Sequence, residues 1–184
     1  MTYKTHVALA MTVAIPAVYF ANIDGFGRIS FLFATAVGAL APDLDEEGSY
    51  LSRKIPVMPM LFGLFGVKHR GVTHRAISIL FLVCLLGVIS SVDQSFISHL
   101  PIYGGFILGY VMHLLGDMMT KGGIRDFFYP LRSTKAVLMP RGYRFYTGSL
   151  QEYLVFVGIL CVIALEIYSF KAYFFQGATF GIFQ

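Results

Sequence analysis

The sequence predicts an all-α fold: a polytopic membrane helix bundle of about five apolar segments, with its polar motif loops gathered at one membrane face. Three observations predict it. Only 13% of the 184 residues are charged and 57% are hydrophobic, with a mean hydropathy of +0.71, whereas soluble domains carry about 25% charged residues. So little charge cannot cover a water-soluble surface, so lipid is the solvent for much of it. The apolar residues fall in runs near the roughly 17–25 residues that cross a bilayer. All but two of the 14 Lys and Arg residues, Arg28 and Lys171, fall on one side of the topology those runs imply. The length fits a single integral membrane domain, residues 1–184.

The first segment, His6 to Phe20, follows no Arg/Lys-rich stretch and precedes no small-residue cleavage site, so it reads as a retained first helix. The second, Ile29 to Ala41, is short and enters the bilayer without a clear crossing. The third, Ala76 to Val92, the fourth, Pro101 to Met119, and the fifth, Tyr153 to Phe170, have spanning length. Between them lie two polar stretches. Pro42 to Arg75 contains an apolar piece, Ile55 to Val67, whose two prolines and two glycines mark it as interfacial or re-entrant. Thr120 to Leu150 is rich in Gly, Arg and aromatic residues and reads as surface turns and short strands. Cys84 and Cys161 lie inside apolar runs and read as packing or lipid-facing residues. The basic excess makes the N-terminus and the Pro42–Arg75 loop cytoplasmic and leaves the tail, Lys171 to Gln184, across the membrane.

Four of the five histidines, His6, His69, His74 and His113, fall on the basic face, with Asp43, Asp45 and Asp117. They come from separate stretches of sequence. His113 and Asp117 stand four apart in HLLGD, on one face of a helix, and can reach one cation. Ionisable groups in membrane segments are costly and tend to be functional. Asp43 and Asp45 in PDLD follow a proline that ends the second helix, and suit two ligands or a ligand and a base. In HRGVTH, Gly71 permits a sharp turn between His69 and His74, and Arg70 carries a planar fork for an anion. Thr73 suits a helix cap, and Arg75 and Lys68 suit headgroup anchors. His6 opens the first helix. His99, before Pro101 on the other face, reads as a solvated loop residue. A His and Asp set without Cys fits a catalytic divalent site, zinc first, with manganese or magnesium as alternatives and one or two ions.

These motifs together resemble the YdjM-like family: TH near the start, PDLD, HRGVTH, GYVMHLLGD, then TKGGI and a later proline, spanning about Thr5 to Pro130. Members are described as LexA-binding, inner-membrane-associated, metal-dependent hydrolases. The resemblance implies that His6, Asp43, Asp45, His69, His74, His113 and Asp117 form a shared polar set, with Thr120 and Gly123 shaping the loop beside it. Where the family pattern tends to have Ser, this chain has Arg75. The family is itself similar to zinc-dependent phospholipase C and the S1/P1 nucleases, which use an HxxxD pair like His113 and Asp117 and a later HxxxE pair. No histidine follows His113 here, which argues for one or two ions over three.

The leading expectation is a metal-dependent hydrolase of the bacterial inner membrane, its site facing the cytoplasm. Its substrate would be a phospholipid or other lipid-linked phosphate, with Asp45 as a bridging ligand or base and Arg70 holding the anion. Membrane lipids are the expected partners; the basic face alone indicates no nucleic-acid or protein partner. The alternative is a membrane scaffold or regulator whose polar cluster is a structural network. A transporter needs ionisable groups near mid-membrane, where only Glu166 falls.

Overall fold

The computed structural model describes residues 1–45, 72–92 and 95–180, with the side chains of residues 45 and 172–180 left aside. His69, Arg70 and the apolar piece 55–67 lie outside the described residues, as does the side chain of Asp45. The described chain is all helical: α1 Tyr3–Phe20, α2 Gly25–Gly38, α3 Ala76–Val92, α4 Phe96–Met119 and α5 Leu150–Phe180. Short 3-10 turns at Ala41–Asp45, Val72–His74 and Arg141–Tyr143 link them.

Two helices are long and apolar enough to cross a bilayer, Phe96–Met119 and, within α5, Leu150–Lys171. At 1.5 Å per residue they reach about 36 and 33 Å, against a hydrocarbon core of roughly 30 Å. The most apolar stretch of the α5 span buries no residue within the protein, so most of its surface suits lipid, while Glu152 at its start is buried. Helix α3 has 17 residues and α2 has 14, and both are shorter than those spans.

Helices α2 and α4 form the closest pair, and glycine explains it. A Cβ on Gly38 would overlap the Phe106 carbonyl, one on Gly105 the Phe31 carbonyl, and one on Gly109 the Thr35 carbonyl. Without those side chains the two backbones meet directly, as small residues allow between membrane helices. Helix α1 packs against α5, α2 and α4, and α3 leans on α4. Tyr110, Leu114, Met118 and Ile124 form the buried apolar core near the C-terminal end of α4.

Several sequence expectations need correction. Helix α4 begins five residues before Pro101, so His99 is helical, though it is exposed as expected. The proline forfeits one hydrogen bond, to Ile97, and does not end the helix. Helix α5 continues through Lys171 to Phe180 in place of a tail. The Thr120–Leu150 stretch forms no strand among the described residues; it holds isolated bridges, Thr120 with Phe145 and Ile124 with Ala136. Arg75 stacks over the Tyr129 ring at 4.6 Å, more specific than a headgroup anchor. The Thr73 hydroxyl lies 3.0 Å from His74 Nδ1.

Candidate metal centre

Four helix ends meet at one end of the bundle, and each delivers a polar side chain. The start of α1 supplies His6, the turn after α2 supplies Asp43, the turn before α3 supplies His74, and the last turns of α4 supply His113 and Asp117. His6, His74, His113 and Asp117 are at most 1% exposed; the Asp43 side chain, at 21%, is the one open to solvent.

The separations are unlike those of hydrogen bonds. His6 Nε2 lies 3.4 Å from Asp117 Oδ1. His74 Nε2 lies 3.6 Å from Asp43 Oδ1 and 3.7 Å from Asp117 Oδ2. His113 Nε2 lies 3.6 Å from Asp43 Oδ1 and 3.9 Å from Asp117 Oδ2. Hydrogen bonds between nitrogen and oxygen run from about 2.7 to 3.2 Å. Ligands about 2.0–2.2 Å from a tetrahedral zinc ion stand roughly 3.3–3.6 Å apart. The donors therefore stand at the spacing of a coordination shell.

Local contacts aim them. His113 Nδ1 lies 2.7 Å from the Ala39 carbonyl oxygen, which can only accept, so Nδ1 carries the proton and Nε2 presents its lone pair to the cluster. That buried Nε2 has no hydrogen bond among the described residues, and neither has His6 Nδ1. The His6 and His113 rings stack at 3.8 Å, and the His74 ring stands 5.4 Å from that of His113. The Met1 amino group donates to Asp117 Oδ1 at 2.7 Å. Burial raises the Asp43 carboxyl, but the contact with His74 and the charges of His113, His6 and His74 outweigh it and hold the group at about 2.

Two overlapping trios can hold a metal ion, His6 with Asp43 and His113, and His74 with His113 and Asp117; within each trio the ligand atoms lie within 4.8 Å of one another. Both use His113, whose Nδ1 is committed to Ala39. A single nitrogen binds one ion, so the two trios cannot both draw on His113 at once.

A residue that sequence reasoning missed braces this site. Glu152, 2% exposed, accepts the Thr2 N–H on one carboxylate oxygen and the Gly148 N–H on the other, each at 2.6 Å. Thr2 caps α1, its carbonyl accepting from His6 N at 3.1 Å, so Glu152 fixes the turn that carries His6. The signal was present in Ser149-x-x-Glu152, the spacing of a capping box. Ser149 Oγ accepts from Glu152 N at 3.3 Å, but the carboxylate turns to Thr2 and Gly148. Tyr110, whose hydroxyl donates to the Thr73 carbonyl beside His74, gave no such signal. Thr120 and Gly123 shape the adjoining loop: Thr120 Oγ1 donates to the Asp117 carbonyl at 2.7 Å, and Gly123 takes a left-handed φ of 56°.

The model of the family described as YdjM inner membrane protein matches residues 1–178. The chain belongs to the YdjM family. It is thus a membrane protein of that family, with a buried His/Asp group that offers a metal its ligands. Among relatives, the uncharacterized protein YvsG of Bacillus subtilis strain 168 is 32% identical over 160 residues, covering 86% of this chain and 89% of that protein. The inner membrane proteins YdjM of Escherichia coli K12 and of Shigella flexneri are each 29% identical over 94 residues, covering 50% of this chain and 45% of theirs. No solved structure matches, and no comparison shows a likeness to phospholipase C or the S1/P1 nucleases.

Proposed function

We propose that this YdjM-family protein is a membrane-embedded, metal-dependent phosphoesterase acting on a phospholipid or other lipid-linked phosphate at the cytoplasmic face of the bacterial inner membrane. The observation that carries this is the spacing of His6, Asp43, His74, His113 and Asp117, at 3.4–3.9 Å in a buried site at one end of an apolar bundle. Three imidazoles favour zinc or manganese over magnesium, which prefers an all-oxygen shell. When bound, such an ion lowers the pKa of water and polarises a phosphoryl oxygen.

The chain's own residues set the rest. His6, His74 and Asp117 are sealed from solvent, so they hold position and exclude water. Asp43, at the open side, marks where substrate enters. In the reaction water adds to phosphorus, the P–O ester bond breaks, and the water's proton passes to the leaving alkoxide. Asp45 is our choice of base for that proton, and Arg70 our choice for holding the anion. The side with all but two of the basic residues supports the cytoplasmic orientation.

The test is a screen of phosphodiester and phospholipid substrates with zinc-loaded and manganese-loaded protein in detergent. We expect hydrolysis that His113→Ala abolishes. A parent protein that binds metal and hydrolyses none of them would end this reading.

A further inference from the structure

We propose that the apolar groove between α2, α3 and α4 seats one acyl chain of a glycerophospholipid whose phosphate lies at the His/Asp centre. This deepens the phosphoesterase reading and rests on it.

The groove holds about 320 Å³ and is walled by side chains such as Val37, Leu86, Ile102, Phe106 and Ile107. Every lining residue is apolar but for the Tyr103 hydroxyl. Its rim is open to the surroundings, with Val37 and Ile102 each 38% exposed and Leu85 42%. In a membrane protein those surroundings are lipid. The groove is also built on the helices that build the centre. Phe106 stands seven residues before His113 on α4, about 10.5 Å along the axis. Val37 stands six residues before Asp43. Side chains in contact bridge that interval: the Tyr110 ring is 6.4 Å from Phe106, and its hydroxyl donates to the carbonyl of Thr73, beside His74. A glycerol backbone and the first methylenes of a chain bridge a gap of this size. A phosphate at the centre thus leaves its chain beside the groove, and a bilayer supplies that chain without taking it through water.

The experiment uses the full chain in phosphatidylcholine vesicles containing phosphatidylglycerol with a photoactivatable diazirine midway along one acyl chain. Crosslinks are mapped by mass spectrometry, with Leu160, lipid-exposed on α5, as the measure of bulk lipid. We expect labelling at Leu86 and Ile107 several-fold above Leu160, falling to the Leu160 level in Val37→Trp and in Leu86→Trp, which narrow the groove from different helices. The same variants should lose about tenfold in phospholipid hydrolysis and keep hydrolysis of a water-soluble phosphodiester. Groove labelling no higher than at Leu160, or crosslinks there to the chain's own residues 55–67 in place of lipid, would overturn the proposal even if hydrolysis is found. Enriched, Trp-sensitive labelling with no hydrolysis of either substrate would uphold the groove and bring down the phosphoesterase reading instead.

Discussion

The two ends of the bundle carry the same residue types and use them differently. At one end Asp24 caps α2, its Oδ1 accepting from Gly27 N at 2.8 Å, and His99 is exposed on the early turns of α4. At the other end of the same two helices, Asp43, His113 and Asp117 meet His6 and His74, and all but Asp43 are sealed from solvent. Asp24 makes an ordinary hydrogen bond. The cluster holds its donors too far apart for one and well placed to share a cation. Residue type alone does not make a site; burial and spacing do.

The sharpest way to break that contrast is to remove a histidine from each end. His113→Ala should lower zinc affinity by more than about 100-fold, beyond the about 10–100-fold that follows loss of an outer partner. His99→Ala should leave it unchanged. Calorimetric titration in detergent checks this, and equal losses would erase the distinction.

Acid should separate the ends next. Imidazole must be neutral to bind metal, so zinc affinity should fall once acid protonates the buried imidazoles. Asp43 does not share that titration. Its pKa is lowered from 3.8 to about 2, so its charge contributes fully above 3.8 and is lost only as pH falls through about 2. Affinity that rises as pH falls would contradict imidazole ligation.

Packing sharpens the contrast further, because the close contact of α2 with α4 sets the cluster. Gly109→Ala pushes a methyl group into the Thr35 carbonyl and should cost about 1–3 kcal/mol. Gly87→Ala in α3 meets nothing within 4 Å and should stabilise by about 0.5–1 kcal/mol. Thermal unfolding in detergent tells them apart. A smaller effect is expected at the brace: Glu152→Ala should lower zinc affinity about tenfold through His6 while the fold persists, and Glu152→Gln, with one acceptor oxygen for two N–H donors, should recover part of it. Loss of fold in both variants, seen by circular dichroism, would make Glu152 structural only.

Much of this was legible in the sequence. Composition and apolar runs indicated a helical membrane protein, because lipid selects for both. The convergence of His6, Asp43, His74, His113 and Asp117 followed from counting crossings, since each lies at a helix end on the same side. What stayed hidden depends on contacts distant in sequence. Ala39 aims His113 through a backbone carbonyl, which has no residue signature. Glu152 and Thr2 are 150 residues apart, and only the capping-box spacing hinted that the carboxylate had work near a helix start. Pro101 misled because it suits the first turn of a helix, whereas here it sits a turn later and costs a single bond.

The central claim is that the buried His/Asp cluster is a metal centre, and X-ray absorption spectroscopy of the zinc-supplemented protein in detergent tests it most directly. The account predicts one zinc per chain, with nitrogen and oxygen ligands at about 2.0–2.2 Å and imidazole scattering from His6, His74 and His113 that diminishes in His113→Ala and is unchanged in His99→Ala. A folded protein that retains no stoichiometric zinc, or one whose zinc shows no imidazole scattering, would contradict it.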